Sequence, residues 1–352
     1  VLTHNAQADL MTTPRTILVL RFSSIGDIIQ TTSVVGTLKK YFPESQIDFI
    51  TLSKFASLLE GHPHINKVHA LDIDAGYTKL RQTGFEMEMM GYDLAIDLHN
   101  STRSQIIRRG FVTTKNVHIK KPRWRRFKLF AFRKNDFAAD FTVRTWLHEP
   151  IADLLPGDFS IENTQLFVSD VEKNSARELL RKSKMDGKYF VITPGAAWAQ
   201  KRWSGEKYAK VIDDCVNKYN LHPVLIGGVT DDICDLIKNS ADSTVIDVHG
   251  KTNLRESLAI VSQAEFVLGS DTGFLHAGEA LGIPAITLLG PTSRETGAGV
   301  FLEESQVVQN EDIWCRPCSQ NGSTPCYRKK QYCMTKIEPE HVSSAVSKVL
   351  AI

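Results

Sequence analysis

Two trains of short apolar runs constrain this chain more than any other feature. The first train holds TILVLR (16–21), IDFITL (47–52), NKVHAL (66–71) and YDLAIDL (92–98). The second restarts near 187 with KYFVIT (188–193), then PVLIGG (223–228), STVIDV (243–248), EFVLGS (265–270) and AITLLG (285–290). Runs this apolar suit strands covered on both faces, and helix-like stretches separate them, so each train implies a parallel sheet with helices on both sides. Residues 27–41, KFASLLE, LRESLAIVSQA and TGFLHAGEAL read as helices. In 205–219, Tyr208, Val211, Ile212, Cys215, Val216 and Tyr219 recur at helical spacing, an amphipathic helix.

The fold class is therefore α/β, with two Rossmann-like, doubly wound domains. The 352 residues suffice for both. The boundaries expected are a leader at 1–14, a first domain at 15–170, a second at 171–337, and a terminal helix at 338–352 that packs back on the first domain. Ligands in such sheets bind outside the carboxyl ends of the strands. Two such domains place a cleft between those ends, and three distinctive stretches fall there.

RFSSIGDIIQTT (21–32) is the first, a strand-to-helix turn with Ser23, Ser24, Gly26 and Asp27. Ser or Asp at that place caps a helix. A carboxylate facing a cleft also takes a proton from a hydroxyl, a role worth ~10²–10⁴-fold in rate. The stretch has neither the G-x-G-x-x-G fingerprint of a nicotinamide dehydrogenase nor a P-loop. PGAAWAQKRW (194–203) is the second; its small residues allow close backbone approach and Lys201 adds a charge suited to a diphosphate. GSDTG (269–273) is the third. It opens a helix whose free amides favour anions, with Thr272 and Gly273 as donors, Asp271 as a cap or loop holder, and His276 one turn in.

Net charge is +2, so bulk charge does not point to nucleic acid. One local segment, 115–134, is dense in Lys and Arg among aromatics: Lys120, Lys121, Arg123, Arg125, Arg126 and Lys128 beside Trp124, Phe127, Phe130 and Phe132. It reads as a basic helix or a mobile loop. The apolar runs are too short for a membrane span, which predicts a cytoplasmic protein. Asp72 and Asp74 read as a solvated turn. Cys315, Cys318, Cys326 and Cys333 form C-x2-C-x7-C-x6-C, a structural zinc candidate or a group of free thiols.

Taken in order, RFSSIGDIIQTT, PGAAWAQKRW and GSDTGFLHAGEALGIPAITLLGPTS resemble the motifs of glycosyltransferase family 9, the ADP-heptose:lipopolysaccharide heptosyltransferases. The resemblance covers roughly 15–350. The tail CRPC…C…CM looks like the branch near heptosyltransferase II. The resemblance implies a GT-B fold, an acceptor-binding first domain and a nucleotide-sugar-binding second domain. It implies inverting transfer of heptose from ADP-heptose to a lipopolysaccharide core precursor, with no obligatory cofactor. On that resemblance Lys120, Lys121, Arg123, Arg125 and Arg126 are expected to meet the anionic acceptor, with Arg103 adding a contact from the cleft side, and the protein is expected to be drawn to the inner face of the cytoplasmic membrane. Asp27 matches the family's catalytic base and Lys201 its donor-phosphate lysine. Asp271, Thr272, Gly273 and His276 match the donor-site helix start, and Ser23, Ser24 and Gly26, in the family's opening turn, are expected to bind the donor with them. The family's ribose-binding glutamate is absent; GGVTDDICD offers Asp231 or Asp232 instead. Two alternatives stay open: another nucleotide sugar or acceptor, and a non-catalytic nucleotide-sugar-binding protein.

Overall fold

The computed structural model describes residues 13–183, 185 and 187–351, so most of the expected leader lies outside it. The first sheet holds β1 (Thr16–Leu20), β2 (Gln46–Leu52), β3 (Lys67–Leu71), β4 (Leu94–Asp97) and β5 (Lys115–His118), in the order β3-β2-β1-β4-β5. The second holds β6 (Tyr189–Thr193), β7 (His222–Leu225), β8 (Ile246–Asp247), β9 (Val267–Ser270), β10 (Ala285–Leu289) and β11 (Gln306–Gln309), in the order β11-β10-β9-β6-β7-β8. Every pairing is parallel. Both orders reverse beside the first strand, the Rossmann arrangement. The central strands are buried on both faces, as their continuous apolar runs require: Ile17 to Leu20 and Phe190 to Ile192 are fully enclosed.

The helices of the first half are α1 (Ile25–Tyr41), α2 (Tyr77–Met89), α3 (Thr102–Arg108), α4 (Arg123–Phe132) and α5 (Val143–His148). Those of the second are α6 (Asp170–Lys182), α7 (Gly205–Tyr219), α8 (Ile233–Ser240), α9 (Leu254–Val261), α10 (Gly273–Ala280), α11 (Tyr332–Thr335) and α12 (Pro339–Leu350). The stripe read in 205–219 is the buried face of α7, and Asn220, at φ 54°, ends that helix.

Several expectations need correction. The basic segment is neither one helix nor a loop but an edge strand, β5, followed by α4. KFASLLE forms a 3-10 turn within Ser53–Leu59. STVIDV shortens to the two-residue β8. The terminal helix α12 does not return to the first domain. Val342, Val346 and Val349 are buried in the core of the second, where α12 packs on α7, β10 and β11. Asp72 and Asp74 do lie on an exposed turn.

The two units meet at their helix starts. The beginning of α1 packs against the beginning of α10. A Cβ on Gly26 would sit 2.7 Å from His276 Cδ2, and one on Gly273 would sit 2.5 Å from Ile25 Cγ2. Only residues without a side chain allow that approach. Both switch points therefore face the same space.

Candidate functional site

Between the switch points lies a polar cavity of about 420 Å³. Arg21, Ser24, Gly26 and Asp27 reach it from the end of β1, His99 from the end of β4, Lys201 from the loop after β6, and Asp271, Thr272, Gly273 and His276 from the end of β9. A larger open groove, about 750 Å³, runs along the far end of α1. Its lysines are committed elsewhere: Lys39 donates to the carbonyls of Pro43 and Ser45, and Lys40 pairs with Glu162.

Asp27 sits at the third position of α1. One carboxylate oxygen accepts from the Ser24 amide at 3.0 Å and its hydroxyl at 2.8 Å; the other pairs with Arg21 Nη2 at 2.7 Å. Capping and chemistry are thus not alternatives, because the side chain still leaves 42% of its surface open. Burial works to raise its pKa, but the Arg21 charge and the Ser24 bonds outweigh it and hold the carboxyl below its ordinary value. Asp27 is ionised at neutral pH. Arg21 is itself fixed through the carbonyls of Ser23, at 3.0 Å, and Leu98.

Opposite, Lys201 Nζ pairs with Asp271 Oδ2 at 2.7 Å, both side chains being largely enclosed. Thr292 also donates to Asp271, at 3.2 Å. Asp271 therefore holds the lysine and the neighbouring loop, the second of the roles read from its position. Thr272 begins α10 without a side-chain cap bond, and its hydroxyl is buried with no partner. A lysine, an orphan hydroxyl and free helix-start amides in one place make an anion cradle.

His276 is buried one turn inside, its Nδ1 2.8 Å from Gln30 Nε2. The Gln30 oxygen accepts from Arg144 Nε at 3.3 Å, and arginine can only donate. That fixes the Gln30 amide as donor to His276, so Nδ1 accepts and Nε2 carries the hydrogen. Burial lowers the His276 pKa, consistent with a neutral ring.

Of the basic segment, only Lys121 and Arg126 line the cavity. Burial lowers the Lys121 pKa, and Arg21 and Arg123 add to the effect. Arg126 lies 5.2 Å over the Trp146 ring, with its Nε buried and unpartnered. Lys120, Arg123 and Arg125 are exposed outside the cavity, and so is Arg103 on the first turn of α3. Asp231 and Asp232 do not line it either. Asp231 accepts from the Gly228 amide at 2.7 Å and lies against Gly195, while Asp232 reaches Arg202 at 3.2 Å.

Sequence reading passed over His99, Gln30, Gln320 and Asn321, all of which line the cavity. His99 follows a strand end, so the rule that found Asp27 would have found it too. Burial, with Arg21 and Lys121 beside it, pushes its pKa down to about 4. The four clustered cysteines surround a much smaller space and are free thiols, with Cys315 and Cys333 buried. Among the described residues, only Asp235, Asp247 and His249 bring three ligand atoms within 4.8 Å of one another. The four thiols line one space without any three of their sulfurs coming that close.

Two facing Rossmann domains with one polar cavity between their switch points, an ionised acid on one side and an anion cradle on the other, define a GT-B glycosyltransferase. Residues 81–327 match the model of glycosyltransferase family 9 (heptosyltransferase), and the chain belongs to that family. It is similar to lipopolysaccharide heptosyltransferase 3 of Escherichia coli (strain K12), at 24% identity over 288 residues, covering 76% of this chain and 80% of the relative. A glycosyl transferase family 9 structure from Veillonella parvula superposes with a TM-score of 0.78 at 20% identity, over 96% of this chain and 97% of that one. The E. coli ADP-heptose lps heptosyltransferase II structure gives 0.70 at 19%, over 96% and 98%.

Proposed function

We propose that the protein transfers heptose from ADP-heptose to a lipopolysaccharide inner-core acceptor, with inversion. The observation that carries this is the placement of Asp27 across a single cavity from Lys201 and the start of α10. An acceptor hydroxyl oxygen attacks the anomeric carbon, and Asp27 takes its proton as the bond forms. The bond from that carbon to the donor's phosphate oxygen breaks, and ADP leaves with the electron pair. Lys201, the Thr272 hydroxyl and the α10 amides stabilise the developing charge. The displacement balances without a metal or redox group. The His276–Gln30–Arg144 chain holds the two helix starts in register.

On this reading residues 15–170 carry the acceptor and 171–337 the donor. Lys121 and Arg126 meet an anionic acceptor group inside the cavity. The outer face of α4 meets the membrane that holds the acceptor's lipid. Trp124, Phe127 and Phe132 are exposed there and their rings touch in sequence, centroids 5.3 and 5.7 Å apart, beside Arg123 and Arg125. Aromatics suit the interface, and each basic residue gains ~1 kcal/mol near an anionic leaflet. No helix among the described residues is long and apolar enough to cross a membrane. The protein would work from the cytoplasmic side.

Asp231 is held by its own loop, so the donor's nucleotide is less fixed than its phosphates, and another nucleotide sugar is the second reading. Mass spectrometry of products made with ADP-heptose, GDP-sugars and UDP-sugars separates the two. For the donor site, Lys201→Ala is expected to weaken ADP binding about tenfold or more, with the wild-type affinity falling as salt rises. Calorimetry that found equal affinities would remove Lys201 from the site.

A further inference from the structure

The stretch between β11 and α12 contributes one wall of the cavity: Gln320 and Asn321 line it together with Asp27 and Lys201. This wall is firmly built. Arg316 donates to the carbonyls of Asn310 at 2.9 Å, Thr292 at 3.1 Å and Gly290, tying the stretch to the loop after β10. The amides of Cys318 and Ser319 donate to the Pro291 carbonyl at 3.0 and 3.4 Å. The buried Ser319 hydroxyl accepts from the amides of Gly322 and Thr324, at 3.0 and 3.3 Å, and closes a turn. Gly322, at φ +85°, lies flat on Lys201, where a Cβ would sit 2.6 Å from the lysine Cγ. From the first domain, Arg133 at the end of α4 donates to the Pro317 carbonyl at 2.9 Å.

One atom in this wall has no partner. Gln320 Nε2 donates to the Thr296 carbonyl at 2.8 Å, while its Oε1 is buried and accepts nothing. An orphan acceptor in the wall of a polar cavity calls for a donor. The site's chemistry says which. The transferred group must lie between the base and the leaving phosphate, because its anomeric carbon bonds to both oxygens during displacement. Gln320 and Asn321 line that space and come from the domain that carries Lys201.

We infer that Gln320 and Asn321 read hydroxyl groups of the transferred sugar and so help to set which sugar is transferred. This rests on the donor reading above. Gln320 Oε1 accepts from one sugar hydroxyl. The Asn321 amide, whose Oδ1 already accepts from the Ser323 amide at 3.1 Å, offers its nitrogen to another.

The test uses Gln320→Leu and Asn321→Ala in the full chain, with ADP-heptose, a defined core acceptor, and ADP as product inhibitor. Each variant is expected to lose about tenfold in kcat/KM for the donor. The ADP inhibition constant and the acceptor KM should stay within about twofold of wild type. Asn321 is exposed, so Asn321→Ala carries the test even if Gln320→Leu does not fold. Unchanged donor constants in the folded variants would overturn the assignment. So would an ADP inhibition constant that rises as far as the donor KM, because the wall would then only prop Lys201. A rise confined to the acceptor KM would overturn it as well. If the wild type uses another nucleotide sugar, the donor named above falls, and the same constants read with that sugar still decide the role of the wall.

Discussion

Asp27 shows how one residue carries a local and a global duty at once. Its carboxylate closes the first turn of α1 through Ser24 and stays charged because Arg21 lies 2.7 Å away. The local duty was legible in S-S-x-G-D. The charge partner was not, because Arg21 ends a strand and only the turn brings it back. Gly26 and Gly273 are the reverse case. Sequence placed both with the donor, yet the structure first explains them by the close approach of two helices. Gly26→Ala should therefore cost about 1–3 kcal/mol, as an overpacked core position does. Chemical denaturation would measure it, and a neutral result would mean that the two helix starts separate freely.

At the scale of elements, α4 divides its basic residues between two surroundings that sequence had joined. Arg126 turns inward beside Trp146, while Arg123 and Arg125 stay outside with three exposed aromatics. Arg126→Ser is thus expected to raise the acceptor KM about tenfold without changing vesicle binding. The double change Arg123→Ser and Arg125→Ser should do the opposite on vesicles containing anionic lipid. Sedimentation with such vesicles and acceptor kinetics distinguish the two, and identical effects from both variants would refute the division. The helical period of 123–132 was readable, but which side meets the cavity depends on Trp146, and no local pattern reports that contact.

A second element-level device joins α6, α9 and the first domain. Arg255 grips Glu172 through two bonds of 2.7 Å and also reaches the carbonyls of Ser57 and Glu60, both at 3.4 Å. The bond from Arg255, against some opposing burial and with help from Ser169, lowers the Glu172 pKa from 4.5 to about 2. A depressed acid stabilises the fold above its unfolded pKa and loses that contribution as pH falls through the folded value. Arg255→Ala is expected to cost ~1 kcal/mol at neutral pH, a modest figure for a partly exposed pair. The gap in melting temperature between the two proteins should hold from pH 8 to 5 and narrow below about pH 4. A gap that widens in acid would show that the pair does not act this way.

For the whole molecule, the alternation of apolar runs with helical stretches was enough to foresee two parallel sheets and the cleft between them. Edge elements fared unevenly: β3 was read, but β5 and β11 were missed and β8 shortened, because edge strands are half-exposed and lack the continuous apolar signal. The terminal helix was assigned to the wrong partner for a related reason. Its apolar stripe says that one face is covered but not by what. The cavity wall around Gln320 was illegible because it depends on contacts between a loop, β10 and α4, far apart in sequence. What sequence did give at this scale was the order of the three motifs, and they converge on one cavity.

Product analysis with wild type and Asp27→Asn, alongside ADP calorimetry, tests the central claim most directly. The wild type, given ADP-heptose and a core acceptor, should yield acceptor heavier by one heptosyl group and an equal amount of ADP. Asp27→Asn should bind ADP as the wild type does and form product at least about 10² more slowly. Near-normal turnover by folded Asp27→Asn would contradict the account, as would a wild type that leaves both ADP-heptose and the acceptor unchanged.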